Sequence, residues 1–376
     1  MKMRNCLLGD IITFQRGYDL PKTKMKPGKI PVVGSNGIIG YHDTATTEAP
    51  CITIGRSGNV GTPKILFERA WAHNTTLYIK EFKNTDPFFV FYLLTTLKLN
   101  EYAGGSAVPT LNRNHIHSLA ITIPDELVTQ KQIGQCLRLF DSKIEQNAQI
   151  NRNLEQQAQA IFKSWFVDFA PFRDGKFMDS ELGPIPAGWR VGTLEDIADI
   201  TMGQSPKGES YNENSVGTVF YQGRAEFTDR FPVRRLFTTE PKRMATSGDV
   251  LLSVRAPVGD MNIANEPCCI GRGLATIHAK HGFTSFVFYT MQTLRQELDK
   301  YNGEGTVFGC INKDSLNALK VIIPPENIIS VFEERTSPLD RKYFVGIEEN
   351  MRLTKLRDTL LQKLMSGEID VSEVEV

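Results

Sequence analysis

Several segments of this chain hold residue types that do chemistry elsewhere, and their spacing argues against each. Gly203-Gln204-Ser205-Pro206-Lys207-Gly208-Glu209-Ser210 has the glycine spacing of a phosphate loop. Glu209 stands where the lysine is required, and a carboxylate there repels phosphate. Asp86-Pro87-Phe88-Phe89 begins like the Asp-Pro-Pro-Tyr/Phe run of amino-methyltransferases, but Phe88 replaces the second proline and no glycine-rich cofactor loop accompanies it. It reads better as an N-cap and first-turn proline opening a helix over Phe88 to Leu99. His115-x-His117 and His278-x-x-His281 lack the neighbouring carboxylates or cysteines of a metal site. Gly303-Glu304-Gly305 precedes a strand rather than following one, so a dinucleotide fingerprint fails. The sequence thus predicts no catalytic residue, metal or cofactor in this chain.

Recognition is the chemistry left. Arginine forks grip guanine O6 and N7, and Asn or Gln amides grip adenine N6 and N7. Candidates in turn-rich loops of the first half are Arg16, Asn36, Arg56, Asn59, Asn74, Asn112 and Arg113. Those of the second half are Gln204, Lys207, Tyr221, Gln222, Arg224, Arg255, Arg272 and Lys313. Arg56 in Ile54-Gly55-Arg56-Ser57-Gly58-Asn59 and Arg255 in Val254-Arg255-Ala256-Pro257 lead, because both follow a strand in corresponding places. Contacts to phosphate outnumber contacts to bases in most complexes, so many of these side chains would position rather than specify.

The elements that must hold them are written twice. Leu8-Gly9-Asp10-Ile11 with Gly17 recurs as Leu194-Glu195-Asp196-Ile197 with Gly203, and Phe89-Val90-Phe91-Tyr92 as Phe286-Val287-Phe288-Tyr289. Asn112, Leu119, Ile123 and Pro124 recur as Asn312, Leu319, Ile323 and Pro324; Asp141, Lys143, Asn151 and Leu154 recur as Asp340, Lys342, Asn350 and Leu353. Each repeat opens with short apolar runs broken by Gly and Asn, such as Cys51-Ile52-Thr53-Ile54 and Val250-Leu251-Leu252-Ser253, which predict strands.

Each repeat then closes on a long polar helix. Ile133, Leu137, Phe140, Ile144, Asn147, Asn151, Leu154, Ala158, Ile161 and Trp165 follow steps of four and three, the seam of a coiled coil. From Ile133 to Asp168 such a helix would run about 54 Å, too long for a small domain. Leu339, Tyr343, Asn350, Leu353, Leu360 and Leu364 form the second seam, and Ser337-Pro338 reads as the start of that helix. The fold class expected is α+β: two similar recognition domains related by a pseudo-twofold and separated by two long antiparallel coiled-coil helices. Residues 1–124 form the first domain, 125–170 the central helical spacer, 171–325 a linker and the second domain, and 326–376 the distal spacer.

With 376 residues and 41% hydrophobic content, the chain can fill more than one core. Lys and Arg balance Asp and Glu at 43 each, yet residues 1–124 carry 14 basic against 8 acidic side chains. That local excess permits a DNA partner. Six cysteines without a C-x-x-C, no long apolar run and no apolar segment before Asp10 predict a cytoplasmic protein with reduced thiols.

Three stretches carry a family resemblance. Gly183-Pro184-Ile185-Pro186-Ala187-Gly188-Trp189 followed by Leu194-Glu195-Asp196-Ile197 resembles the opening of a target recognition domain in the specificity subunits of type I restriction–modification systems. Ile161-Phe162-Lys163-Ser164-Trp165-Phe166-Val167-Asp168-Phe169 is similar to the end of that family's central conserved helix, and Leu360 to Ile369 to its distal one. The first domain lacks the Gly-Trp opening, and no Pro-x-x-Glu-Gln run follows Pro124 or Pro324. The resemblance implies a non-catalytic subunit whose two domains each read one half of a bipartite, gapped, non-palindromic double-stranded DNA target. It implies helices that dock two methylation subunits, with restriction subunits joining through the complex. S-adenosylmethionine, ATP and Mg²⁺ are then expected on partner chains. Phe162, Trp165, Phe166, Phe169, Leu360, Leu361 and Met365 are candidate anchors for those partners, or else they close the helix pair onto the domains. A second reading is a helical protein-interaction adaptor without sequence-specific DNA binding.

Overall fold

The computed structural model describes residues 1–104, 109–303 and 309–371. They divide into two compact units, one of residues 1–149 and 347–376, the other of residues 150–346.

In the first unit, strands β1 (Met3–Leu7), β2 (Ile12–Arg16), β3 (Ile30–Gly34), β4 (Gly37–His42), β5 (Cys51–Gly55), β6 (Pro63–Leu66), β7 (Trp71–Ala72), β8 (Thr76–Phe82) and β9 (Ala120–Pro124) precede or flank helix α1 (Pro87–Thr96). The order β2-β8-β5-β6 makes an antiparallel sheet, β4-β3-β7 a mixed one in which β3 and β7 run parallel, and β1 pairs β9. Apolar residues at alternate and continuous positions of these strands meet α1 and the long helix α2 (Leu127–Phe162). Phe14, Ile52, Ile54, Phe89, Ile133 and Leu137 are among the residues that fill this core. Asp86 caps α1 as its sequence suggests, its carboxylate accepting from the Phe89 N–H at 2.9 Å. The helix stops at Thr96, short of the expected Leu99, because Lys98 adopts a left-handed conformation (φ 43°) before a 3₁₀ turn.

The second unit repeats the plan with β10 (Arg190–Thr193), β11 (Ala198–Met202), β12 (Thr218–Tyr221), β13 (Val250–Ser253), β14 (Met261–Ile263), β15 (Cys268–Ile270), β16 (Leu274–Ala279), β17 (Lys320–Ile323) and α3 (Thr284–Thr293). Sheet order β11-β16-β13-β14 matches β2-β8-β5-β6, and β10 pairs β17 as β1 pairs β9. Equivalent hydrogen bonds hold both copies: Leu8 N–H to Leu119 O and Leu194 N–H to Leu319 O, each 2.8 Å. Gly17 and Gly203 donate to Thr76 O and Leu274 O at 3.0 and 2.9 Å. A Cβ at either glycine would fall 2.1 Å from a carbonyl oxygen, of His73 or Gly271, so both crossings require glycine.

Helix α4 (Glu326–Ser366) corrects one expectation. Pro338 lies inside it rather than at its start. Proline removes the bond to the carbonyl four residues back, but Pro338 and Glu334 are both exposed, so water can satisfy that oxygen. Within each unit, α2 and α4 segments run antiparallel. In the first, Asp141 accepts from Arg357 Nη1 and from the Tyr92 hydroxyl, both at 2.5 Å. In the second, Phe162 meets Phe332 with ring centroids 5.7 Å apart. The repeat counterparts Tyr289 and Asp340 bond at 2.8 Å, but there the arginine is Arg230, from the segment after β12, at 2.5 Å. The position matching Arg357 is Ala158, which is fully buried.

Candidate nucleic-acid interface

In the first unit, hydrogen bonds tie five loops into one edge. Tyr18 N–H reaches Ala72 O, Ser35 N–H reaches Thr75 Oγ1, Arg56 N–H reaches Thr75 O, and Leu111 N–H reaches Arg56 O. Lys64, on β6, donates to Ser35 O at 2.7 Å. Arg16, Asn36, Asn59, Asn112 and Arg113 are exposed there or on adjoining turns, and Arg56 and Asn74 are half-buried. Asn112 also caps a short helix, accepting from Asn114 N–H, and Asn59 accepts from Thr62 Oγ1. Asn74 donates to Asp19.

The second unit builds the same edge with other side chains. Gln204 N–H reaches Ile270 O, Gly271 N–H reaches Tyr221 O, Val254 N–H reaches Gly273 O, and Ile311 N–H reaches Val254 O. These bonds fix the equivalences. Asn74 corresponds to Arg272, Tyr18 to Gln204, and Arg113 to Lys313, whereas Asn36 and Arg224 lie in turns of unequal length. Gln204, Lys207, Gln222, Arg255, Arg272 and Lys313 are exposed. Among the described residues, Arg16, Arg56, Arg113, Lys207, Arg255, Arg272 and Lys313 form no salt bridge, whereas Arg224 is paired with Asp260. Unpaired guanidinium and ammonium groups on a loop edge are free to meet phosphate or base edges.

Three expectations are corrected here. Tyr221 is 0% exposed and corresponds to the core residue Val33, so its ring is core packing rather than a DNA contact. Arg56 and Arg255 are not equivalent. Gly61 N–H bonds Gly55 O as Gly259 N–H bonds Ser253 O, which aligns Arg56 with Val254 and Ser57 with Arg255. Along an extended chain a one-residue step turns a side chain to the other face, so the loops share a frame but present different directions. Finally, Phe162, Phe166 and Leu361 are buried in the unit cores, with Trp165, Phe169, Leu360 and Met365 packed against them. These residues close the helices onto the domains. Beside them Val167 is 48% exposed and Leu182 44%. Both line an apolar depression of about 710 Å³ in the second unit.

Sequence reasoning missed Lys64 and Ser35, whose role shows only in strand register. Burial holds the Lys64 amine below its ordinary pKa. The histidine pairs act locally: His117 Nε2 accepts from Phe14 N–H at 2.9 Å, and His278 Nδ1 bonds Asp249 at 2.6 Å. Among the described residues no group of three or more His, Cys, Asp or Glu could hold a metal ion, and no helix is long and apolar enough to cross a membrane. Glu304 and Gly305 of the rejected glycine motif lie outside the described residues.

Comparison with known proteins gives the same repeat. Residues 2–156 and 186–341 each match the family described as type I restriction modification DNA specificity domain. A Methanocaldococcus jannaschii sequence provisionally named type I restriction enzyme MjaX specificity subunit is 34% identical over 298 residues, covering 76% of this chain and 69% of its own. The type I restriction enzyme HindI specificity subunit of Haemophilus influenzae is 26% identical, covering 75% and 77%. The crystal structure of the type I restriction–modification S subunit from M. genitalium superposes with a TM-score of 0.70 at 18% identity, covering 96% of both chains, which shows a shared fold.

Proposed function

Because this chain belongs to the family of type I restriction–modification specificity subunits, we propose that its two loop edges each read one half of a gapped, non-palindromic DNA sequence. The subunit is itself non-catalytic. It carries no chemistry beyond recognition, and S-adenosylmethionine, ATP and Mg²⁺ belong on the methylation and restriction subunits that it directs.

One observation carries the reading. A single hydrogen-bond frame, repeated in both units, presents Ser57, Asn74 and Arg113 in one and Arg255, Arg272 and Lys313 in the other. Equal frames with unequal side chains suit two half-sites of similar geometry and different sequence. Surfaces on the helices and at the depression beside Val167 and Leu182 suit methylation subunits, with apolar area rimmed by charge. The adaptor reading accounts for the helices but not for duplicated edges lined with unpaired cations.

The test is co-expression with the cognate methylation subunit and mapping of methylated adenines across a genome. Exchange of residues 1–124 or 189–324 for those of a relative should change one half of the motif and leave the other. A motif indifferent to both exchanges refutes the proposal.

A further inference from the structure

The first unit carries a feature that its repeat lacks. Between β2 and β3, Lys22, Lys24, Lys26 and Lys29 are all exposed on a strap lying directly on β4. Lys26 N–H donates to His42 Nδ1 at 3.0 Å, and the Met25 sulfur packs where Gly40 has no side chain. A Cβ on Gly28 would fall 2.1 Å from His42 O, so strap and strand are in backbone contact. Next to the turn of the β3–β4 hairpin, Ile38 is 52% exposed and Ile39 39%, and further along β4 Tyr41, opposite Pro31, is 56% exposed. A bulge at Val32/Val33 leaves Ile39 as the extra residue of β4. Asn36 lies in that turn, and Lys64 Nζ lies 3.8 Å from the place a Cβ of Gly37 would occupy. The hairpin is therefore continuous with the loop edge.

In the second unit the strand that pairs there is Phe237–Thr238, in the place of Tyr41 and His42. The residues that lead into it are not apolar but Arg234 and Arg235, which are salt-bridged to Glu266 and to Glu226, the latter accepting from Arg235 Nε at 3.1 Å. Lys22 and Lys24 correspond to Gly208 and the buried Ser210, and Glu209 lies between them. Lys26 lies 3.9 Å from Asp43, and Lys22, Lys24 and Lys29 form no salt bridge among the described residues, so the strap keeps a net positive charge that disfavours a basic or apolar protein partner and favours a polyanion. An apolar tip beside it fits the edge of a base pair, either a thymine methyl or an opened step.

The geometry points to the strap and hairpin as a DNA finger of the first unit alone, its lysines on phosphates and Ile38 and Ile39 on bases. This rests on the DNA-reading function proposed above and deepens it: one half-site is gripped by contacts that the other does not receive.

Binding of the complete methylation complex to a duplex carrying its mapped motif tests this, by fluorescence anisotropy across a salt series. Replacing all four lysines by glutamine (K22Q, K24Q, K26Q, K29Q) should weaken binding and make the slope of log K against log salt shallower by about 3 to 4. Replacing Ile38→Ser with Ile39→Ser should leave the slope unchanged but relax methylation at positions of the first unit's half-site only. All these residues are exposed, and melting curves like the parent's confirm folding. Parental slope and parental motif together overturn the finger. So does a parental motif with lost co-purification of methylation subunits, which would make the tip a protein contact. Arg56→Ala and Arg255→Ala serve as controls. If they alter their half-sites while the finger variants do not, only this inference fails; if no variant alters the motif, the DNA-reading function fails with it.

Discussion

Asn147 donates an amide hydrogen to Asn350 at 2.9 Å within the helix pair of the first unit, and Asn350 in turn donates to Ile144 O at 3.2 Å. The repeat counterparts in the second unit are Gly346 and Asn151. Asn151 is buried there with neither amide atom bonded. Removing one partner of a buried hydrogen bond costs about 1–3 kcal/mol, and relieving an orphan returns part of that. Asn147→Ala is therefore expected to destabilise the protein by about 1–2 kcal/mol. Asn151→Leu, of similar size, is expected to be neutral or stabilising. Denaturant melts of the two variants check this, and a loss for Asn151→Leu as large as that for Asn147→Ala would refute it.

Gly346 supplies a companion test. A Cβ there would lie 2.6 Å from Asn151 Oδ1. Gly346→Ala should gain helix propensity, about 1 kcal/mol on an exposed helix, yet lose more through overpacking against Asn151. A net fall in melting temperature is expected, with recovery in the Gly346→Ala, Asn151→Ala double variant.

Asp340 holds a nearly buried cation. Arg230 is 2% exposed, stacked 4.6 Å over Phe288, and two of its nitrogens lack hydrogen-bond partners. Removing the carboxylate leaves that charge uncompensated, which typically costs about 3–5 kcal/mol, whereas replacing the arginine with an apolar residue costs far less. Asp340→Ala should lower stability much more than Arg230→Met. Equal losses would show that the pair itself, not the stranded charge, dominates.

His117 gives the first unit an acid-sensitive joint. Burial first, then Arg113 and Lys83, hold its pKa below the ordinary 6.5. As pH falls below about 6.5 the unfolded chain takes up a proton, while folded His117 stays neutral to accept from Phe14 N–H. In that window the unfolded state binds more protons, so stability falls as pH falls and is fully present above it. His117→Gln, which keeps an acceptor without titrating, should flatten the loss of melting temperature between pH 7.5 and 5. An unchanged acid slope would assign the effect elsewhere, with His73, also held down by burial, the next group to replace.

For recognition, Arg255→Ala is expected to relax the motif half read by the second unit, at a cost of about 1–3 kcal/mol for each bidentate grip on a base that it removes. The half read by the first unit should be untouched. Weakening that is uniform across sequences would mark Arg255 as a phosphate contact instead. Genome-wide methylation maps separate the two outcomes.

The duplication is legible in the sequence because core positions repeat their residues: Leu8 and Leu194, Phe89 and Phe286, and Asp141 and Asp340 all lie where packing or capping restricts choice. The loop edge is legible in composition but not in direction. Loops of unequal length shift the offset between copies, so sequence pairs Arg56 with Arg255, whereas backbone bonding puts Ser57 in that place. Tyr221 misleads because an aromatic beside a glutamine looks like a surface reader, and only the parallel pairing of β12 with β15 places it inside. Pro338 marks a helix start in isolation, but packing of Ile329 and Phe332 upstream outweighs the one bond that it removes.

The borrowed arginine restricts which chimaeras can succeed. In the first unit Asp141 takes its cation from the facing helix, so the β-rich module is free of that duty. In the second, Ala158 faces the carboxylate's helix and the module itself must bring Arg230. A graft of residues 1–124 into the second position would thus strand Asp340 without a counter-ion, unless Ala158→Arg travels with it. The reverse graft would bring the buried Arg230 to a carboxylate that Arg357 already holds, so each interchange of the readers calls for a compensating change on the facing helix.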